Sequence, residues 1–128
     1  MLIIGHDLLQ DLDFHFFQEN EIIQEDRIYC VFYDEKSISY LKAKHAQFAI
    51  LVQNKDEIFL SNALQAKFLI FQDPKLAQFA SKVAEFYIFD SKILMLVNTL
   101  QNLEKFYKLK VDGIILKTKI HNLPKLYP

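Results

Sequence analysis

Short apolar runs alternate with amphipathic segments along the whole chain. Six of these runs predict buried strands, at residues 2–4, 28–33, 48–52, 68–71, 93–97 and 114–116. Their spacing is that of repeated βα units, and several runs are apolar on both faces, as in strands that are covered on two sides. The pattern therefore predicts an α/β fold: a doubly wound, mainly parallel sheet of about five to six strands with helices on both faces.

Helix start signals stand between the central strands. Asn54 with Glu57 forms a capping-box pattern, so a helix is expected to follow it. Asp73 followed by Pro74 is a cap followed by the residue favoured at the first helical position. A shorter helix is predicted at residues 37–44. These helices supply the connections that parallel strands require.

The pattern is more ambiguous toward the two ends of the chain. Asn98 or Thr99 is expected to cap a helix that carries Phe106 on its inner face. Near the N-terminus, residues 7–17 place their leucines on one side and are interpreted as a helix. Residues 12–16 also alternate between apolar and polar side chains, so a strand remains the alternative there.

Composition limits the classes of function. The 128 residues are expected to form one domain, with a βα extension at 1–27, a core at 28–120 and a tail at 121–128. A hydrophobic fraction of 52% and twelve phenylalanines favour a packed core. The formal net charge of −1 provides no basic surface, so no nucleic-acid partner is predicted. No apolar stretch is long enough to cross a bilayer, so no membrane partner is predicted and a cytoplasmic location is expected.

Polar side chains follow four of the predicted strands at the points where the strands end. They are Asp34, Glu35, Gln72, Asp73, Thr99 and Lys117. Because the carboxyl ends of parallel strands share one edge of a sheet, these side chains are candidates for a common site. In that site Asp34 and Asp73 would hold Mg²⁺, which prefers carboxylates, and Lys117 would contact a phosphoryl oxygen. Helix capping, which stabilises by about 1 kcal/mol, also explains Asp73 by itself.

Cofactor-binding and cysteine motifs are missing from the sequence. It contains two glycines and neither a GxGxxG pattern nor a Walker-type loop, so no nucleotide cofactor is predicted. Cys30 is the single cysteine and lies inside an apolar run, where it is interpreted as a buried thiol on a strand. His6 and His15 lie among aspartates, but their separation is not a helical ligand spacing. They are interpreted as solvated or capping histidines, and His121 in the tail has no partner that the sequence identifies.

Four segments resemble those of a response-regulator receiver domain. Residues 31–35 resemble its first strand with the acidic cluster, and residues 67–73 lie where the phospho-acceptor strand belongs. Residues 91–99 resemble the strand that ends at the switch Ser/Thr, and residues 111–117 resemble the segment that ends in the family's lysine. The resemblance covers about 28–120 and implies a signalling domain with Mg²⁺ and phosphoryl chemistry at these strand ends.

The chain also departs from the receiver pattern. Gln72 stands at the acceptor position, and an amide cannot form an acyl phosphate. Tyr33 replaces one of the paired acids, and Thr118 stands where the family has proline. These departures imply a receiver-like domain that is not phosphorylated.

Aromatic side chains are candidates for a contact surface. Phe86, Tyr87 and Phe89 lie in a run of four apolar residues at a helix exit, and Phe106 lies on the last predicted helix. A helix exit cannot bury all of such a run, so an outward-facing aromatic side chain would seek a protein partner, including a second copy of this chain.

Three hypotheses follow. The first is a non-catalytic receiver-like signalling or protein-interaction domain that forms a homodimer and has no cofactor. The second is an Mg²⁺-dependent phospho-acceptor or phosphoryl-transfer domain in which Asp73 replaces the shifted acid. The third is a small-molecule-binding α/β domain of an unrelated family, with its site in a sheet-edge crevice. The first hypothesis requires no catalytic residue, and whether the protein is an enzyme stays open.

Overall fold

The structure is a computed structural model that describes residues 1–9 and 12–125. Strands and helices alternate along it. The strands are β1 (Leu2–Ile4), β2 (Asp13–Phe16), β3 (Arg27–Phe32), β4 (Gln47–Leu51), β5 (Phe68–Phe71), β6 (Lys92–Val97), β7 (Gly113–Leu116) and β8 (Ile120–His121). The α-helices are α1 (Glu35–Ala43), α2 (Lys55–Ala63) and α3 (Pro74–Tyr87), and short 3₁₀ helices lie at Leu103–Phe106 and Lys117–Lys119.

The strands form one parallel sheet in the order β1-β7-β6-β5-β4-β3-β2-β8. From β2 to β7 each strand lies beside its successor in the chain, so every crossover moves in the same direction. Right-handed crossovers that all move one way place their helices on one face of the sheet. Accordingly, the buried apolar residues of the three helices belong to a single core cluster: Ile38, Leu41, Ile58, Ala77 and Ala80.

The predicted parallel α/β sheet is confirmed, but its details differ from the prediction. Among the described residues the sheet has eight strands rather than five to six. It is not doubly wound, because no reversal of strand order interrupts the series from β2 to β7, and the described α-helices pack on one face rather than both. Apolar runs in the sequence indicate where strands form. They do not indicate in which direction each crossover moves, and that direction decides whether a sheet is doubly wound.

The face of the sheet without α-helices is buried by the strands themselves. A second core cluster contains buried residues from all eight strands and none from a helix: Ile4, Phe14, Ile28, Cys30, Ala49, Leu51, Phe68, Ile70, Leu94, Leu96, Ile115 and Ile120. The rings of Phe14 on β2 and Phe68 on β5 have centroids 5.5 Å apart. Neighbouring strands are spaced about 4.8 Å, so a flat sheet would hold β2 and β5 about 14 Å apart. The sheet therefore curls, and its concave face closes on itself.

The predicted helix at 7–17 is wrong where the structure describes it. Residues 13–16 form β2, which lies between β3 and β8. The alternating pattern explains the result, because Phe14 faces the concave core while Asp13 and His15 face the other side of the sheet. Residues 10 and 11 of that predicted helix lie outside the described residues, as do residues 126–128 of the predicted tail.

The predicted helix starts at Asn54 and Asp73 are confirmed, whereas the helix predicted at 37–44 begins earlier, at Glu35, after a cap at Asp34. The side chains of Asp34, Asn54 and Asp73 cap α1, α2 and α3 by accepting hydrogen bonds from backbone N–H groups in the first turn. The helix predicted after Asn98 does not form as an α-helix, and the segment contains a 3₁₀ helix at Leu103–Phe106 instead. None of the helices in the described part of the chain is both long enough and apolar enough to cross a membrane.

Gly113 allows the edge strand β1 to join the sheet. Leu2 of β1 is the register partner of Gly113 on β7. A Cβ atom at Gly113 would collide with the backbone oxygen and the side chain of Leu2. Only glycine therefore permits this close approach between the two strands.

Candidate functional site

The carboxyl ends of four adjacent strands, β4 to β7, surround a cleft of about 640 Å³, which we call the rim cleft. Its polar lining residues are Gln53 after β4, Gln72 and Asp73 after β5, Asn98 after β6 and Lys117 after β7. This edge is where parallel α/β sheets carry their binding sites, because the loops that begin there converge on one surface.

The rim cleft unites part of the predicted strand-end site. Gln72, Asp73 and Lys117 line it together. Thr99 lines an adjoining cleft of about 510 Å³, and Asn98 is shared by the two clefts. The functional role of these residues stays a prediction, but their convergence follows from the adjacency of β5, β6 and β7.

Asp34 and Glu35 do not line the rim cleft. The Asp34 carboxylate accepts hydrogen bonds from Ser37 Oγ at 2.6 Å and from Ser37 N at 3.1 Å, and it lines a different cleft. The hydroxyl bond and then the backbone bond lower the pKa of Asp34, because both stabilise its charged form. Glu35 accepts a hydrogen bond from the Tyr33 hydroxyl at 2.9 Å. β4, β5 and β6 lie between β3 and β7 in the sheet, and Asp34 and Lys117 line different clefts.

Asp34 and Asp73, the predicted Mg²⁺ pair, line different clefts. The Asp73 carboxylate accepts a hydrogen bond from Lys75 N at 3.0 Å and serves as the cap of α3. Neither aspartate belongs to the group of three potential metal-ligating side chains found among the residues that the structure describes. Both carboxylates are explained by the helices they begin.

The rim cleft offers hydrogen-bonding amides, the positive charge of Lys117 and the negative charge of Asp73. Gln53, Gln72 and Asn98 carry amides, which both donate and accept, and Lys117 carries an ammonium group. The Asp73 carboxylate is engaged by the first turn of α3. This combination suits the binding of a small polar or anionic molecule.

A second feature lies at the end of α3, where three consecutive apolar residues are exposed. Phe86, Tyr87 and Ile88 expose 78%, 63% and 85% of their surfaces. The ring centroid of Tyr87 lies 4.8 Å from that of Phe86 and 6.4 Å from that of Phe59 on α2. We call Phe59, Phe86, Tyr87 and Ile88 the apolar surface.

The apolar surface overlaps only partly with the predicted contact surface. Phe86 and Tyr87 are exposed, while Phe89 is half-buried against the main core. Phe106 is only 4% exposed, so its assignment to an exposed surface is wrong. The other prediction for Phe106, a place on the inner face of a helical segment, agrees with its burial in the main core.

Ile88 also has an unusual backbone conformation, which sequence reasoning missed. It ends α3 in the left-handed region, with φ 54° and ψ 61°, and Phe89 N donates to the Ala84 carbonyl at 2.9 Å. This Schellman-type turn normally places glycine or asparagine at the left-handed position. Among the described non-glycine residues with positive φ, Ile88 is the one with a β-branched side chain. Such strain is concentrated at functional positions.

No protein-family model matches the chain, and no curated protein is significantly similar to it. The resemblance to receiver domains stays a prediction. The parallel α/β sheet is consistent with it only at the level of fold class. In the flavodoxin-like order 2-1-3-4-5, the first strand of the core lies between the second and the third. Here β3, β4 and β5 follow one another directly.

Proposed function

We propose that this protein is a non-catalytic protein-interaction domain that forms a homodimer through the apolar surface. The observation that carries the proposal is the combination found at Ile88. This side chain is almost fully exposed, and its backbone has a conformation that costs a β-branched residue roughly 1–2 kcal/mol. The monomer buries little of the Ile88 side chain and its backbone is strained, and burial of this side chain in a dimer accounts for both.

The size of the apolar surface supports self-association. Large side chains present roughly 150–250 Å² each, so the exposed fractions of the four members amount to about 500 Å². In a two-fold symmetric dimer the same surface is used twice, giving about 1,000 Å² of buried area. That value lies at the lower limit for specific interfaces, so we expect a reversible dimer with a dissociation constant on the order of micromolar.

Charge does not oppose a contact between two copies. The formal net charge is −1, so long-range repulsion between identical chains is small. Lys55 Nζ on α2 lies 4.5 Å from the centroid of the Phe79 ring on α3. Lys55 precedes Phe59 by four residues along α2, so a positive charge lies on the same helix as a member of the apolar surface.

Sedimentation equilibrium over a wide concentration range tests the homodimer. The wild-type chain is expected to show a concentration-dependent mass that rises to twice the monomer value. Phe86→Ser is expected to raise the dissociation constant more than about ten-fold, because the large central aromatic residues dominate the energy of an interface.

Tyr107→Ser is the matched control, since Tyr107 is also a largely exposed aromatic residue but lies outside the apolar surface. It is expected to leave the dissociation constant unchanged. A wild-type chain that stays monomeric at every concentration, or equal effects of the two substitutions, would contradict the proposal.

A second candidate function is the binding of a small anionic molecule in the rim cleft, supported by the convergence of three amides on Lys117. Titration with inorganic phosphate is expected to shift the backbone amide resonances of Gln72 and Asn98 in a saturable way. Lys117→Met should abolish these shifts, while Lys125→Met should not. Shifts that do not saturate, or that survive Lys117→Met, would remove this candidate.

The Mg²⁺-dependent phosphoryl-transfer alternative has less support. It requires Asp34, Asp73 and Lys117 to meet in one crevice, but Asp34 lines a different cleft from the other two. The signalling role implied by the receiver resemblance depends on the sequence segments alone.

A further inference from the structure

A cluster of potential metal ligands lies at the edge of the sheet where β2 pairs with β8. His15 on β2 is the register partner of His121 on β8. Asp13 lies two residues before His15, so its side chain faces the same side of the sheet. Asp13 Oδ1 is 2.8 Å from His15 Nε2 and 3.8 Å from His121 Nε2, and the three ligand atoms all lie within 4.8 Å of one another.

We propose that Asp13, His15 and His121 bind a divalent transition-metal ion, with zinc as the best match. Two imidazoles and one carboxylate form a set that zinc accepts, and three protein ligands leave a fourth position open to water or another ligand. Calcium and magnesium are poorer candidates because they prefer oxygen ligands throughout.

The distances agree with this assignment. Zinc bonds to histidine nitrogen and carboxylate oxygen are about 2.0–2.2 Å long, so neighbouring ligand atoms of a tetrahedral site lie about 3.3 Å apart. The two distances from Asp13 Oδ1, 2.8 Å and 3.8 Å, lie on either side of that value. Shifts of about half an ångström would bring both distances to about 3.3 Å. Ordinary side-chain rotation provides shifts of this size.

The two imidazole rings require a further adjustment. They are stacked, with centroids 4.6 Å apart and planes inclined by 29°, so one ring must turn for both Nε2 lone pairs to meet at one point. His121 can make this turn because its side chain is more exposed than that of His15 and belongs to the two-residue strand β8. His15 then provides the fixed ligand and His121 the adjustable one.

Arg27 supports the carboxylate ligand from the other side. Its Nε lies 3.7 Å from Asp13 Oδ2 and has no hydrogen-bond partner, although the atom is buried. A metal on Oδ1 leaves Oδ2 to Arg27, so the guanidinium orients the carboxylate as an outer partner of a metal ligand. The positive charge of Arg27 also lowers the affinity of the site for a metal cation. We therefore expect a dissociation constant on the order of micromolar and not a much lower one.

Binding would also connect the chain's last described strand to the sheet. β8 has two residues and pairs with β2 alone, and a metal bridge from His121 to β2 adds a second attachment. Because the complete site exists only in the folded chain, metal binding is expected to raise the melting temperature.

The test uses untagged, chelator-treated protein titrated with Co²⁺, whose visible absorption reports coordination, and with Zn²⁺ by calorimetry. One ion per chain is expected. His121→Gln and Asp13→Asn are each expected to weaken binding more than about ten-fold. His45→Gln is the control, because His45 is exposed and lies outside the cluster.

Circular dichroism establishes that each variant is folded; His121 is 60% exposed, and its substitution removes the ring contact with His15. Absence of saturable binding in the wild type would overturn the proposal. So would variants that bind as tightly as the wild type, or a loss with His45→Gln equal to that with His121→Gln.

Discussion

Replacement of Ile88 by glycine is expected to stabilise the monomer while weakening the dimer. Ile88 ends α3 with φ 54°, a conformation that glycine adopts without steric cost. Most substitutions of a large apolar residue destabilise a fold, so a gain in stability here would be an unusual and specific result.

The magnitude follows from three contributions. Relief of the left-handed backbone conformation returns about 1–2 kcal/mol. The greater freedom of glycine in the unfolded chain costs about 0.4–1 kcal/mol. The side chain is 85% exposed, so its loss removes only a few tenths of a kcal/mol of burial energy. The central values give a net increase of about 0.5 kcal/mol in the free energy of unfolding.

Urea unfolding followed by far-UV circular dichroism provides the assay, because the chain contains no tryptophan. It is run at low concentration, where dimerisation adds nothing to the apparent stability. Ile22→Gly is the matched control: Ile22 is 86% exposed, but it is not among the residues with positive φ, so its substitution should destabilise. Equal destabilisation by the two substitutions would refute the strain argument.

Three further predictions concern the folded monomer. Phe14→Ala is expected to lower the free energy of unfolding by about 3–5 kcal/mol, because Phe14 is fully buried in the concave core. Phe86→Ala, its control in the same urea assay, should change it by less than about 0.5 kcal/mol, and similar losses for both would contradict the curled sheet. Asp34→Ala should cost about 1 kcal/mol near neutral pH through loss of the α1 cap. The fold lowers the pKa of Asp34, so its contribution to the free energy of unfolding is present above the ordinary value of 3.8 and is lost as the pH falls through the folded-state pKa. The stabilities of the variant and the wild type should therefore converge in acid. A stability difference that persists in acid would contradict this. Cys30 should resist thiol reagents until the chain unfolds, since burial raises its pKa, and rapid labelling of the native protein would contradict a closed concave face.

Local pattern predicted the central strands well, and the reason is physical. Strands β3 to β7 are continuous apolar runs, because both of their faces are buried, and the capping residues Asn54 and Asp73 mark where two of the following helices begin. Neither β2 nor β8 has such a run. In β2 apolar and polar residues alternate over only four positions, so the sequence was also compatible with a helix. β8 has only two residues, so it was assigned to the tail.

The strand order could not be predicted in the same way. A sheet can be covered by helices on both faces, or by helices on one face while curling buries the other. The strands of both kinds of sheet have the same apolar runs. The apolar runs placed Gln72, Asp73 and Lys117 at one edge of the sheet, and these residues line one cleft. The same runs also predicted Asp34 in that site, although it lines a different cleft. Ile88 shows the same limit, since an apolar residue after a helix does not reveal whether its φ will be positive.

The histidine cluster shows how long-range pairing creates a candidate site. His15 and Asp13 have the two-residue spacing that places side chains on one face of a strand. That signal is available in the sequence once a strand rather than a helix is assigned to 12–16. His121 could not have been added, because it reaches His15 only through the pairing of β8 with β2.

Nuclear Overhauser effects between an isotope-labelled and an unlabelled copy of the chain test the homodimer most directly. In an equimolar mixture, contacts across copies are expected between the methyl groups of Ile88 and the aromatic rings of Phe86 or Tyr87. Contacts across copies that arise only at other positions, or none at concentrations where the mass has doubled, would contradict a dimer formed through this part of α3.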